Sequence, residues 1–447
     1  MACIVLSRIR RTAGSLTFMS SILTIVINHF EVLLMTKLSR KRKYVVILPF
    51  CALLFFIGTV TVQAATYYVA TTGNDANAGT AVDTPFLTIQ KCIDVMVAGD
   101  TCTVANGTYT DADGNGVVGY IRPSNQNGTA ANPITLKSTN PLGAKIRVSS
   151  KAGQGNHGIY IDRAYWIVEG FDISGFTSTA LGTGSAAITL NGSNGSVVRN
   201  NALHDIARTV CSNSVIGNSG VYTTPAASNS TIRDNLIYSI GRLYNGENGC
   251  STSINGNDHG IYIEGSTGLT IKRNVFYDDN RGWSIHLYNS AGLTASNINI
   301  YNNTFADKPP AGAPQTVQGQ IVLATRVTNV NIKNNISYDA NVGLVRCSSS
   351  IIPTNVLVDH NLSSTLIKNT ECTGNVTFTN NTENTSPGFV NAGTRDYPLA
   401  SGSAAIDAGV AITGMAYNGA APDIGAYEFG QAGDSVPPIA PVGLTLQ

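Results

Sequence analysis

The chain has 447 residues, 12% of them charged and 43% hydrophobic, with a formal net charge of +1 at pH 7. So few charges lack the basic footprint of a nucleic-acid binder, and so much apolar content excludes a disordered chain. The charge is uneven: residues 1–65 hold eight Lys/Arg and one acid, leaving 20 basic and 26 acidic groups for the remainder.

At the front, Lys37, Arg40, Lys41, Arg42 and Lys43 precede an apolar run over 44–62 and then Gln63-Ala-Ala65. A basic segment, an apolar segment and small residues at a cleavage point form a secretory signal. Nineteen apolar residues are also long enough for an anchor, but the segment order favours cleavage. The expectation is a signal peptide over 35–65 starting at Met35, with 1–34 an upstream artefact. The product is then secreted or at the cell surface, with no membrane attachment after cleavage.

The body carries Gly, Asn, Ser, Thr and β-branched residues, a composition of strands and turns. Helical spacing over 88–97 predicts one short helix, which would plug the apolar end of a stack of coils. Beyond it, apolar-x-x-Asn recurs as Val198-Arg-Asn-Asn201, Ile232-Arg-Asp-Asn235, Ile271-Lys-Arg-Asn274 and Ile300-Tyr-Asn-Asn303. It continues as Ile332-Lys-Asn-Asn335, Val358-Asp-His-Asn361 and Phe378-Thr-Asn-Asn381, with Phe171 at the Asn position of an earlier coil. A constant motif at irregular spacing describes a solenoid whose loops vary while its strands do not. In the best-formed unit, three strands are Gly260-Ile-Tyr-Ile263, Leu269-Thr-Ile-Lys272 and Val275-Phe-Tyr277. The Asn between the second and third suits a left-handed turn residue, and stacked over coils it forms an asparagine ladder. The predicted fold is all-β, a single-stranded right-handed parallel β-helix of about ten coils.

These repeats resemble right-handed parallel β-helix proteins of the pectate-lyase-like superfamily, over residues 66–430. Tyr67-Tyr-Val69, Gly73-Asn-Asp75, Pro85-Phe-Leu-Thr-Ile-Gln90 and Gly107-Thr-Tyr109 resemble the N-terminal cap, over 66–110. The segment 392–430, with Asp423-Ile-Gly-Ala-Tyr-Glu428, resembles the C-terminal part of bacterial surface β-helices. Residues 431–447 form a Pro-rich tail or linker.

Six cysteines remain after the leader, and in an exported chain they suit disulfides, with free thiols the alternative. Cys92 falls on the cap helix and Cys102 on the next strand. Cys211 and Cys250 fall in successive loops before first-sheet strands, and Cys347 and Cys372 just after such strands. Pairing 92–102, 211–250 and 347–372 joins neighbouring coils.

In the first strand of each coil, Ile159, Ile188, Val221, Ile261 and Ile285 point inward. Tyr160, Thr189, Tyr222, Tyr262 and His286 then point outward, followed two residues on by Asp162, Asn191, Thr224, Glu264 and Tyr288. Coils lie about 4.8 Å apart, so Tyr262, Glu264, His286 and Tyr288 form one patch. Exposed tyrosines beside carboxylate and imidazole suit a sugar, although Tyr160 and Tyr222 also suit plain cross-strand stacking. The preceding turns add Asp258 and His259, echoed by Asn156-His-Gly158, together with Arg281 and Trp283. The second sheet shows a basic column of Arg199, Arg233, Lys272 and Lys333, expected to be a solvated face. On the third, His204 with Asp205, Asp278, Asp307 and Asp339 is expected to mark turns. Asp111, Asp113 and Asn115 fit the opening of a calcium loop, but Arg122 stands where its closing Glu should be; a polar turn is favoured over a weak Ca²⁺ site.

The resemblance implies a polysaccharide partner and lyase or epimerase chemistry on a uronic-acid polymer. Such chemistry needs a cation on the carboxylate, a base and an acid. Arg281, His286 as leading base and Tyr262 fill these roles, with Glu264, Asp258 and His259 in support. Tyr160, Tyr222, Trp283 and Tyr288 would bind sugar. Pectate lyases of this shape imply a Lys or Arg base and Ca²⁺ held by clustered Asp; His286 stands at the comparable position and no acid cluster shares the sheet. Mannuronan epimerases imply an Asp/His-rich turn before such a strand, as in Asp258-His-Gly-Ile-Tyr-Ile263. The competing expectation is a non-catalytic surface or adhesive polysaccharide-binding module. A monomer is expected in either case.

Overall fold

The computed structural model describes residues 63–430 apart from 148–155, 176–184, 214–215, 253–255, 280–281, 289–290, 307–318, 325, 341–342, 349–352, 369–370 and 373. Most of the leader, the Pro-rich tail, Arg281 and Asp307 lie outside the described residues. Three parallel sheets of eight, eleven and nine strands run the length of the described chain. Each coil places one strand in each sheet, forming a right-handed parallel β-helix. The first sheet comprises Val117–Ile121, His157–Ile161, Ala186–Leu190, Ser219–Thr223, His259–Ile263, Trp283–Leu287, Gly319–Leu323 and Val345–Cys347.

Its register stacks Ile159, Ile188, Val221, Ile261, Ile285, Ile321 and Val345 in one inward column. All are fully buried, and each such side chain stabilises the fold by about 1.5–3 kcal/mol relative to an exposed one. The strands break strict alternation at their second residue. The paired register omits Val118, Gly158, Ala187, Gly220, Gly260 and Ser284. At Gly220 and Gly260 a Cβ would come within 3.0 Å of the core side chains Ile237 and Phe276. Second and third residues thus both face the core, so the first residue turns outward together with the fourth. This brings His259 and Trp283 onto the same face as Tyr262 and His286.

The asparagine ladder runs unbroken from Asn201 to Asn381. Side-chain amides donate to the next coil's Oδ1 at 2.9–3.0 Å from Asn201 through Asn235, Asn274, Asn303, Asn335 and Asn361. Each of these six Nδ2 groups also donates to a carbonyl of the preceding coil, as Asn274 does to Ile232. The ladder residue itself, however, is not the left-handed one. Positive φ falls one position earlier, at Asn200, Asp234, Arg273, Asn302, Asn334, His360 and Asn380. The preceding residue makes the turn, and that leaves the ladder amide aimed into the stack, where only hydrogen bonding selects its type.

The helix Ile89–Val95 begins at Thr88, whose Oγ1 accepts the Lys91 N–H at 3.1 Å. It buries Ile89, Cys92 and Ile93 over the first coil. Gly119 leaves room for two of them, since a Cβ there would lie 3.1 Å from Ile93 Cδ1 and 3.3 Å from Ile89 Cγ2. Disulfides join Cys92 to Cys102, Cys211 to Cys250 and Cys347 to Cys372, with Cα separations of 6.3, 5.5 and 4.8 Å.

Three of the four second-sheet cations are paired locally: Arg199 with Glu169 at 2.7 Å, Lys333 with Asp359 at 3.7 Å, and Arg233 with Asp234, while burial and then the Arg273 and Arg233 charges lower the pKa of Lys272. On the third sheet Asp205, Asp278 and Asp339 have φ of 52°, 58° and 58°, the conformation of turn residues. His204 lies between Asp172 and Asp205 at 3.1 and 2.7 Å and stacks on Tyr238. The C-terminal segment packs on this sheet: Asn302 Nδ2 donates to the Asp423 carbonyl and the Ala426 N–H to Thr304 Oγ1. Among the described residues no helix is long and apolar enough to cross a membrane.

Candidate functional site

The outward column of the first sheet reads Tyr120, Tyr160, Thr189, Tyr222, Tyr262, His286, Val322 and Arg346 in successive coils. Around its centre the rings touch: Tyr222–Tyr262 centroids are 5.6 Å apart, Tyr262–His286 5.5 Å and His286–Tyr288 5.5 Å. His259 and Trp283 join them through the broken alternation, with His259 stacked on Trp283 at 5.5 Å and on Tyr262 at 5.4 Å.

Two imidazoles form the heart of the cluster. His286 Nδ1 lies 3.0 Å from His259 Nε2, and the Trp283 backbone N–H donates to His259 Nδ1 at 3.3 Å. A ring nitrogen that accepts carries no proton, so His259 is protonated on Nε2 and donates to His286 Nδ1. His286 therefore holds its own proton on Nε2. Burial, and then the neighbouring ring, push the His286 pKa well below the ordinary value. Burial, followed by the Arg242 charge, lowers His259 to about 3. Both rings are neutral at pH 7, and His286 offers a proton rather than a lone pair. At 7% exposure it presents only an edge to solvent.

This arrangement predicts a definite spectroscopic outcome. Imidazole ¹⁵N shifts should show the His286 Nδ1 as lone-pair type and Nε2 as proton-bearing, unchanged from pH 8 down to 5. A titration of either ring near pH 6.5 would contradict it.

The remaining residues divide by role. Tyr222 donates its hydroxyl to Glu264; burial first, then that bond, raise the phenol's pKa. Burial likewise raises Tyr262, aided by the Glu264 charge. Asp258 is buried behind the face rather than presented on it. Its Oδ2 accepts from Arg242 N and Nε at 2.9 Å, and its Oδ1 from Asn218 N and Nδ2 at 2.8 and 3.0 Å. It holds the turn that delivers His259. Tyr160 lies three coils from Tyr262 in the same column. Arg281 lies outside the described residues.

No local sequence motif marks Arg346. It lies in register two coils beyond His286, with its guanidinium 5.8 Å from the Trp283 ring centroid and 3.9 Å from Glu371. The Cys347–Cys372 bond links the adjacent positions of that pair. Aligning Ile285-His286 with Ile321-Val322 and Val345-Arg346 would have found it.

In the Asp111 loop the carboxylates cap the turn's own N–H groups. Asp111 oxygens accept the Asn115 and Gly116 N–H groups at 3.2 and 2.6 Å, and Asp113 accepts from Asn115. The carboxylates are used within a polar turn. Among the described residues, no group of three or more His, Cys, Asp or Glu is placed to hold a metal ion.

Residues 243–404 match the family described as "Right handed beta helix region". No curated protein sequence matches the chain. The structure is similar to that of the pectate lyase Pel9A, at 18% identity and a TM-score of 0.51, over 81% of this chain and 96% of that one. A rhamnogalacturonan lyase aligns at 16% identity and a TM-score of 0.40, over 73% and 91% of the two chains. An alginate lyase from Paenibacillus sp. str. FPU-7 aligns at 17% identity and a TM-score of 0.40, over 65% and 94%. At these identities the likeness concerns the fold alone. The protein has the right-handed parallel β-helix fold.

Proposed function

We propose that the protein is an exported, carbohydrate-active β-helix that acts as a lyase or epimerase on a uronic-acid-containing polysaccharide, at the first-sheet face around His286. The observation that carries this is the neutral His259–His286 pair set among Tyr222, Tyr262, Trp283 and Tyr288. Aromatic faces cover the apolar faces of sugar rings. His286 is expected from sequence as the leading base, but its Nδ1 lone pair is taken by His259, so in the proposed elimination it serves as the acid: the proton beside the substrate carboxylate passes to Glu264, and the bond to the leaving oxygen breaks. That oxygen takes the proton from His286 Nε2. An arginine, Arg346 or Arg281, neutralises the carboxylate, and Tyr262 orients the ring. Epimerisation uses the same groups, with the proton returned to the opposite face of the carbon.

Three disulfides support export, with 35–65 as the signal, 66–430 as the working solenoid and 431–447 as a tail. The likeness to a pectate lyase fold is in keeping with a polysaccharide partner, and the chain is proposed to work as a monomer.

Incubation with polygalacturonate, polymannuronate and polyguluronate tests the proposal. Ultraviolet-absorbing unsaturated ends are expected for a lyase, and altered C5 configuration by proton NMR for an epimerase. Binding without either change would favour a non-catalytic polysaccharide-binding module. Absence of both binding and turnover would overturn the proposal.

A further inference from the structure

A fully buried ion pair lies directly behind the candidate site. The side chains of Arg242 and Asp258 are 2% and 0% exposed. The Arg242 N–H and Nε–H both donate to Asp258 Oδ2 at 2.9 Å, while Asn218 donates to Oδ1 from its N–H at 2.8 Å and its Nδ2 at 3.0 Å. The two carboxylate oxygens are thus held from two different segments. Arg242 is itself fixed from the preceding loop. Its Nη1 donates to the Ser212 carbonyl at 3.4 Å, the Leu243 N–H donates to the Val210 carbonyl at 2.9 Å, and Cys211–Cys250 ties the two loops together.

Taking two charges out of water commonly costs as much as their attraction returns, and a well-packed neutral pair serves stability equally well. What adjoins this pair points to another use. Asp258 precedes His259 in the chain. Asn218, whose N–H is bound by the Asp258 carboxylate, accepts the His259 N–H on its carbonyl at 2.9 Å. The next coil closes from the other side. A Cβ at Gly282 would lie 1.9 Å from the Asp258 carbonyl oxygen and 2.9 Å from His259 Nδ1, and the Trp283 N–H donates to that nitrogen. The peptide joining the two residues is gripped from the coil before, the coil after and the Arg242 loop. His259 Nε2 and His286 Nδ1 meet at 3.0 Å, and a shift of about 1 Å would break that bond.

We propose that Arg242 is a positioning residue, which acts through Asp258 to set His259 against His286. The inference rests on the lyase or epimerase reading for its catalytic consequence only, because the imidazole contact is measured without substrate.

Scalar coupling across the N–H···N bond from His259 Nε2 to His286 Nδ1, read in ¹⁵N spectra, tests this. Wild type is expected to show it, and its absence there would overturn the proposal. Arg242→Met with Asp258→Asn removes both charges, while the amide oxygen introduced can still accept from Asn218. This double variant is expected to unfold at a midpoint close to wild type and to lose the coupling. Its kcat on a polyuronate should fall at least tenfold with KM changed less than twofold. Arg242→Gln with Asp258→Asn, which allows a hydrogen bond between the two side chains, should recover the coupling. An unchanged coupling in the folded Arg242→Met/Asp258→Asn protein would overturn the positioning role. Arg242→Lys decides the matter if that variant does not fold, since it keeps a cation beside Asp258 but cannot fill the Nε and Nη1 positions together. A weakened coupling is expected in Arg242→Lys, and a full one would overturn the proposal. Coupling lost as expected, in a protein whose wild type turns over no polyuronate, would uphold the positioning role and overturn the reading of the reaction alone.

Discussion

Turnover of a polyuronate is expected to fall by about 10²–10⁴-fold when His286 is replaced, the range lost with a general acid or base. Alanine is a blunt probe, because His259 Nε2–H then loses its acceptor inside the cluster, at a cost of about 1–3 kcal/mol of stability. His286→Asn is the sharper variant. Its side-chain oxygen can stand near the Nδ1 position and keep accepting from His259, but it holds no exchangeable acid at the Nε2 position. Loss of kcat in His286→Asn with an unfolding midpoint close to wild type is the expected result. Retention of full activity would remove His286 from the chemistry.

The largest stability effect is expected at the middle of the ladder. Asn274 Oδ1 accepts from the Asn235 N–H and Nδ2, and its Nδ2 donates to the Ile232 and Lys272 carbonyls and to Asn303 Oδ1. Asn274→Ala strands several buried groups, each worth about 1–3 kcal/mol when unsatisfied. A total loss of about 4–6 kcal/mol places it among the severe single substitutions. Asn381 closes the ladder, accepting from Asn361 and donating to Val358, with no further ladder amide described beyond it. Asn381→Ala should cost less than half as much. Denaturant unfolding of the two variants checks the ranking, and equal losses would contradict a ladder that works cooperatively along the stack.

Much of this architecture is legible from residues because the coil repeats its chemistry. The apolar-x-x-Asn motif marks the ladder, and the isoleucine column gives the outward tyrosines and His286. What escapes a period-two rule is the doubled inward step at Gly158 and Gly260, where the missing Cβ lets the backbone approach the core. That step turns His157 and His259 outward, so the two-histidine contact is visible only in three dimensions. The left-handed residue was expected at the ladder Asn and lies one position earlier, since turn tolerance and amide stacking are separate demands met by adjacent residues. Adjacency to His259 makes Asp258 read as part of the surface chemistry. Its partner Arg242 arrives from a loop 16 residues upstream and holds it beneath the face. Arg346 lay two coils away behind Val322, where no local motif points to it.

The most direct test of the account is the structure of the His286→Asn protein soaked with a uronate hexamer. The account predicts a sugar chain laid along the outer face of the first sheet, with one unit against Tyr262, Trp283 and His259. A chain bound instead to the basic second-sheet column, or to the stacked rings of His204 and Tyr238, would contradict it.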